Sequence, residues 1–179
     1  MKTDSVGEAI LERAKKIKLF LCDVDGILTN ATVFMGGEGE YKQFHIQDGL
    51  GLRLLQMGGI KVGWISNRPS FATTERAMDL KVDYLKQSDG NKVKAVEELL
   101  KECDVNWEQV SYMGDDVVDL GVLRRAGLAV SVPNAIKEAQ EAADLVTVKY
   151  GGQGAVREVT DIILKAQGHW EKIVAHFSA

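Results

Sequence analysis

Apolar positions along this chain fall into short, nearly unbroken runs separated by stretches with helical spacing. The runs are Ile17–Cys22, Ile60–Ile65, Val82–Leu85, Val110–Met113, Leu128–Val132 and Leu145–Val148. Such runs predict buried strands, because a strand covered on both faces has no polar alternation. Between them, Val93, Val96, Leu99 and Leu100 mark one face of a helix over Asn91–Glu102. Val6, Ile10 and Leu11 predict a short helix over 5–14. Another runs from about Gly49 to Met57 and stops at Gly58-Gly59, and Pro69-Ser70 opens one reaching about Leu80. Strands alternating with helices predict βαβ units. The fold class is therefore α/β, a Rossmann-like parallel sheet with helices on both faces. Residues 29–47 break the alternation, since Gly36-Gly37-Glu38-Gly39 carries hairpin turn chemistry. A β-hairpin is thus inserted after the first strand of a single domain over 1–179, with a C-terminal tail over about 165–179.

The 179 residues suffice for a substantial core without covalent staples, and 45% hydrophobic with 27% charged content is that of a globular domain. A formal net charge of −4 without a basic stripe argues against a nucleic-acid partner. No apolar stretch reaches the roughly 20 residues a membrane span needs. Asp4, Glu8 and Glu12 interrupt any signal-like N-terminus, so the expected location is cytoplasmic. Cys22 and Cys103 cannot build a disulfide framework, and Cys22 reads as a buried small hydrophobe. Trp64 reads as core, and Trp107 and Trp170 as packing or interface residues. His169 and His176 lie too far apart to share an ion.

The first run ends in Asp23-Val24-Asp25-Gly26. Residues i and i+2 of an extended segment project to one side, so two carboxylates crowd a loop at a strand's C-terminal end. Carboxylates so placed call for a cation or a shared proton. Open parallel sheets hold their ligands at that edge. Three further polar groups reach it: Ser66-Asn67-Arg68, Lys92 just inside a helix, and Gly114-Asp115-Asp116 with Asp119. Phosphoryl transfer needs an in-line nucleophile, a hard cation and hydrogen-bond donors. Asp23 can attack. Asp25 can protonate the leaving alcohol and later deprotonate water. Ser66 and the Asn67 backbone N–H can hold phosphate oxygens, and Lys92 can neutralise Asp23 and phosphate together. Asp115, with Asp116 or Asp119, would complete an oxygen cage suited to Mg²⁺.

The order of these parts resembles the haloacid dehalogenase superfamily. The resemblance makes Asp23 the nucleophile, Asp25 the acid/base, Ser66 and Lys92 the phosphate-site residues, and Asp23, Asp25 (through its backbone carbonyl) and Asp115 the Mg²⁺ ligands. Roughly residues 17–168 resemble the capless 3-deoxy-D-manno-octulosonate 8-phosphate phosphatase family. The supporting stretches are Asp23–Leu28, Phe34-Met35-Gly36, Phe44 with Asp48-Gly49-x-Gly51, Gly114-Asp115-Asp116 and Gly151-Gly152-x-Gly154-Ala155-Val156-Arg157-Glu158. About 24 residues between Arg68 and Lys92 leave no room for a second cap domain, and the segment between Asp25 and Ser66, a hairpin and one helix, is too little for a helical one. The resemblance implies a homotetramer in which hairpins, tails and neighbouring chains close each site. It implies hydrolysis of a sugar-acid phosphate in lipopolysaccharide precursor biosynthesis, with Arg68 facing an acidic sugar.

The family's Thr-Gly-Arg is here Ser66-Asn67-Arg68, which keeps the hydroxyl and adds a side chain beside the phosphate. Relatives acting on nine-carbon ketoacid phosphates tend to carry Glu in place of Arg68, so the eight-carbon substrate is favoured. Asp48 reads either as a substrate contact or as a helix N-terminal charge, and Arg157 as a substrate contact or a helix salt-bridge partner. The Gly151–Gly154 turn reads as a flexible turn, which the resemblance would make a lip over the site, and His45 reads either as a residue beside the loop or as one reaching a neighbouring site. Two other classes compete, a phospho-receiver module and a non-catalytic oligomerisation domain. A receiver places its acidic pair before the phospho-accepting Asp, whereas Asp115-Asp116 here follow Lys92. The complete polar set argues against the idle domain.

Overall fold

The apolar runs form one six-stranded parallel sheet in this computed structural model, which describes residues 7–37 and 39–178. The strands are β1 (Leu19–Cys22), β4 (Lys61–Ser66), β5 (Tyr84–Gln87), β6 (Val110–Met113), β7 (Leu128–Ser131) and β8 (Leu145–Val146). Their spatial order is β5-β4-β1-β6-β7-β8. The inserted hairpin is a separate pair, β2 (Phe34–Gly36) and β3 (Gly39–Tyr41). Its turn residue Glu38 lies outside the described residues, as do Asp4 and Val6.

Period-two side-chain direction divides the core. Phe20 and Cys22 of β1 join a cluster with Leu52, Leu55, Val156, Val159 and Ile163. Leu19 and Leu21 face the other way, onto Val96, Leu99, Val122 and Leu123. The first layer comprises α1 (Glu8–Ala14), α2 (Ile46–Met57), α3 (Phe71–Asp79), α7 (Ala155–Ala166) and α8 (Trp170–Phe177). The second comprises α4 (Lys92–Cys103), α5 (Leu120–Leu123) and α6 (Lys137–Ala142). Both faces of β1 are therefore dry, and truncating Leu21 to Ala would cost about 3 kcal/mol.

Two helix starts, those of α3 and α4, follow the expected chemistry. The Asn91 side chain accepts from the Val93 N–H at 2.8 Å, and that of Ser70 accepts from Thr73 N–H at 3.3 Å. Several boundaries differ, among them β1, which begins at Leu19 rather than Ile17, and β8, which ends at Val146 rather than Val148. Helix α2 begins at Ile46 rather than near Gly49, behind His45, which makes no side-chain cap. Strand β5 begins at Tyr84 rather than Val82. The Val82 N–H closes the end of α3 on the Ala77 carbonyl at 2.9 Å, and Asp83 accepts from Val62 N–H at 3.0 Å. Part of the expected tail is α8, whose Ile173 is buried in the chain's own core.

Register brings the site together. Cys22 pairs with Trp64 on one side and Met113 on the other, so β4, β1 and β6 end side by side. Trp64 is wholly buried, stacked on Phe44 at 6.2 Å.

Candidate active site

Asp23 leaves β1 with its N–H bonded to the Met113 carbonyl at 2.9 Å, which fixes the loop to the neighbouring strand. Lys92, in the first turn of α4, points back across the sheet edge. Its Nζ lies 2.6 Å from Asp23 Oδ1 and 2.7 Å from Asp119 Oδ1, and all three side chains are buried. Burial alone would lower the Lys92 ammonium, but the charges of Asp23 and Asp119 overcome it and raise it, so it stays protonated.

Asp115 follows β6 and comes so close to the first loop that only glycine fits there. A Cβ on Gly26, whose φ is +110°, would stand 2.0 Å from Asp115 Oδ2. Oxygens of Asp23, Asp115 and Asp119 all lie within 4.8 Å of one another. Three carboxylates against one ammonium leave an excess of buried negative charge. Burial pushes Asp115 up to about 8, helped by the charges of Asp23, Asp119 and Asp116. Burial likewise raises Asp23 to about 6 against the opposing pull of Lys92. Asp115 Oδ1 is buried without a hydrogen-bond partner among the described residues. An orphaned oxygen among crowded hard donors is what a small divalent cation would satisfy.

The two further acids differ from that pattern. Both Asp119 oxygens are already engaged. Oδ1 accepts from Lys92 and from the Tyr112 hydroxyl, while Oδ2 accepts from the N–H groups of Asp115 and Asp116 at 3.1 and 3.2 Å. Asp119 therefore anchors the acidic loop and the lysine. Asp116 Oδ1 accepts from Val117 N–H and caps the short turn that follows.

The other expected residues lie as follows. Ser66, buried at the end of β4, exchanges hydrogen bonds of 3.1 Å with the backbone of Arg68. Asn67 Nδ2 donates to the Gly90 carbonyl at 3.1 Å, tying this loop to the one before α4. The Arg68 guanidinium pairs with Glu40 of the hairpin. Asp25 is held by Lys42, whose Nζ is 2.8 Å from both carboxylate oxygens.

Asp48 and Arg157 are not drawn into this cluster. Asp48 is buried and its oxygens accept from Gly154 N–H at 3.1 Å and Arg157 N–H at 2.7 Å, so it caps α7 across the α2–α7 interface. Burial raises its carboxyl while those backbone donors oppose the rise. Arg157 pairs with Asp161 at 2.7 Å and lies over the Trp170 ring at 5.7 Å, the salt-bridge alternative. The turn after β8 packs on the first loop, with Gly151 so close to the Gly26 carbonyl that a Cβ would lie 1.7 Å from it. His45 Nδ1 lies 3.8 Å from Asp48 Oδ2.

Sequence reasoning missed Lys42, Glu40 and Tyr112. The spacing Glu40-x-Lys42 was the one available signal, since i and i+2 of an extended segment share a face. Nothing local pointed to their partners.

Comparison with known proteins agrees with this geometry. Residues 53–159 match the family described as haloacid dehalogenase-like hydrolase. The chain is 40% identical over 167 residues to the 3-deoxy-D-manno-octulosonate 8-phosphate phosphatase of Yersinia pestis, covering 93% of this chain and 89% of the relative. The corresponding Escherichia coli K12 enzyme is 38% identical over 164 residues, covering 91% and 87%. Among solved structures, a phosphatase of the same name from Moraxella catarrhalis, in complex with magnesium, phosphate and KDO, superposes with a TM-score of 0.91. That pair shares 41% identity over 94% of this chain and 97% of the other. The sheet order, the acidic cluster and these likenesses together show that the chain belongs to the haloacid dehalogenase-like hydrolases, within the 3-deoxy-D-manno-octulosonate 8-phosphate phosphatase family.

Proposed function

We propose that this protein is an Mg²⁺-dependent phosphatase that hydrolyses 3-deoxy-D-manno-octulosonate 8-phosphate to the free sugar acid and phosphate. The observation that carries the reading is the buried Asp23–Lys92 pair beside Asp115, on a chain whose relatives are named for that reaction. Lys92 holds Asp23 through Oδ1, and the second carboxylate oxygen is the attacking atom. That oxygen attacks phosphorus, and the bond to the sugar C8 oxygen breaks. Asp25 delivers a proton to the departing oxygen, leaving an aspartyl-phosphate on Asp23. Asp25 then takes a proton from water, the water oxygen attacks phosphorus, and the bond between phosphorus and the Asp23 oxygen breaks to release phosphate and restore the carboxylate.

Asp23 and Asp115, with the Asp25 backbone carbonyl, would hold Mg²⁺, which when bound offsets negative charge on the phosphoryl oxygens. Ser66 and the Asn67 N–H hold those oxygens, and Lys92 balances their charge. Arg68 reads the sugar's carboxylate, because a planar guanidinium offers several donors to one carboxylate. Its side chain is 43% exposed, which leaves an edge open to a ligand.

The chain acts as a homotetramer in this reading, with hairpins and tails covering neighbouring sites. Phe34, Met35 and Tyr41 support it: these large apolar side chains of the small hairpin are each more than 60% exposed. Sedimentation equilibrium tests it, and a monomer at micromolar concentration would exclude it. No helix among the described residues is long and apolar enough to cross a membrane, and a cytoplasmic location is proposed.

A turnover screen over the eight-carbon acid phosphate, nine-carbon ketoacid phosphates and hexose phosphates tests the substrate. The eight-carbon compound should give the highest kcat/KM. A preference for hexose phosphates, which lack a carboxylate, would overturn the assignment.

A further inference from the structure

The hairpin carries two opposite charges on one face, and each is docked on a different part of the site. Lys42 has a side chain 0% exposed. Its Nζ lies 2.8 Å from both Asp25 oxygens and donates to Thr73 Oγ1 at 3.2 Å. Glu40, two residues earlier, is mostly buried and pairs with Arg68 through Oε2. Its other oxygen, Oε1, stands 3.9 Å from Lys42 Nζ and is buried without a hydrogen bond among the described residues. Arg68, Glu40, Lys42 and Asp25 thus form a row of alternating charge across the hairpin. A buried ammonium with no partner would be costly. Here the partner is the acid/base itself, so burying Lys42 fixes the direction of the Asp25 carboxylate. Glu40 does the same for Arg68, occupying one edge of the guanidinium and leaving the other toward solvent.

We infer that Lys42 and Glu40 are separate positioning residues, Lys42 orienting Asp25 for proton transfer and Glu40 aiming Arg68 at the substrate carboxylate. The Glu40 half rests on the sugar-acid reading above. The Lys42 half requires only that Asp25 handles protons. The hairpin is then a template that sets the chemistry through one residue and substrate choice through the other. A hairpin that merely docks on the domain would use both charges for the same end.

The two roles give different kinetic signatures in the full-length enzyme with Mg²⁺. Lys42→Gln should lower kcat about 100-fold for both the eight-carbon acid phosphate and p-nitrophenyl phosphate, the size expected of a misplaced catalytic group, with much smaller changes in KM. Lys42→Arg, which keeps a charged donor, should recover at least a tenth of that loss. Glu40→Gln should raise KM for the sugar-acid phosphate about 10-fold more than for p-nitrophenyl phosphate, as expected for one weakened charged contact. Glu40→Asp should lie between Glu40→Gln and the parent. Arg68→Ala is the control on the reading itself. If it weakens both substrates equally, the carboxylate role of Arg68 is wrong, whatever the hairpin variants do. If Arg68→Ala is selective while Glu40→Gln is not, or if Lys42→Gln and Glu40→Gln shift kcat and KM in parallel for both substrates, the division of labour is overturned. Thermal melts confirm folding, and Lys42→Arg and Glu40→Asp carry the comparison should a Gln variant fail to fold.

Discussion

Lys92 Nζ is shared between Asp23 and Asp119, 2.6 Å from one carboxylate and 2.7 Å from the other, with Asp119 closed off from solvent. The lysine thus has a fixed partner behind it and the expected nucleophile in front. A flexible ammonium loses side-chain entropy when it is ordered. Here that loss falls on folding, before any substrate arrives. The same acid also ties down the loop that carries Asp115, so one buried side chain sets two distances in the site.

Replacing Asp119 by Asn should therefore damage the scaffold more than metal binding. The variant leaves Lys92 short of a charge, and we expect a stability loss of about 3 kcal/mol by urea unfolding. Tyr112→Phe removes only the hydroxyl that meets the same oxygen and should cost about 1 kcal/mol. Asp115→Asn should do the reverse, raising the Mg²⁺ concentration for half-maximal activity far more than Asp119→Asn does. Equal metal defects in the two variants would make Asp119 a ligand.

Protons and the cation compete for the same oxygens. Asp115 in the metal-free fold sits at about 8 and Asp23 at about 6, both above the ordinary carboxylate range, because burial disfavours their charged forms. The fold therefore binds more protons than the unfolded chain between about pH 4 and pH 8, so these groups make metal-free stability fall as pH rises through that window. The thermal shift on adding Mg²⁺ should be larger at about pH 8 than at about pH 6, where protons hold the site. Differential scanning fluorimetry with and without chelator measures it, and a larger shift at the lower pH would contradict the charge picture.

Gly26 should tolerate no side chain. Gly26→Ala places a Cβ 2.0 Å from Asp115 Oδ2 at a φ of +110°, so either the first loop or the acidic loop must move. The backbone strain alone is of the order of 1–3 kcal/mol. We expect a loss of Mg²⁺ affinity by calorimetry even where the variant remains folded. Metal binding at the parent affinity would show that the two loops are not coupled.

The hydrogen bonds of Asp48 predict a contribution to stability. Asp48→Ala removes the acceptor for two N–H groups at the start of α7 and should cost about 2 kcal/mol by urea unfolding. The ratio of kcat/KM for the sugar-acid phosphate to that for p-nitrophenyl phosphate should stay within about two-fold of the parent, less than one lost hydrogen bond to substrate would cause. A selective loss on the sugar-acid phosphate would return Asp48 to the substrate.

The legible parts of the sequence were those with local causes. The runs Ile17–Cys22 and Val110–Met113 read as strands because both faces of β1 and β6 are covered, and Gly36-Gly37 marked the hairpin. Asp23, Lys92 and Asp115 stood out because parallel-sheet topology collects strand ends on one edge. Long-range pairings left no such mark. Lys42 meets Thr73 across 31 positions, and Asp48 caps a helix more than 100 residues away. Asp48 read ambiguously for a further reason: α2 starts earlier than Gly-rich composition suggested, which places it inside the helix and against α7.

The covalent step on Asp23 is tested most directly at the phosphorus atom. Hydrolysis of a substrate whose phosphoryl group is made chiral with sulfur and oxygen isotopes reports how many in-line displacements occur. Attack by Asp23 followed by attack by water inverts the centre twice, so the released thiophosphate should show retained configuration. Inverted product would mean that water attacks the substrate directly and that Asp23 never carries the phosphoryl group.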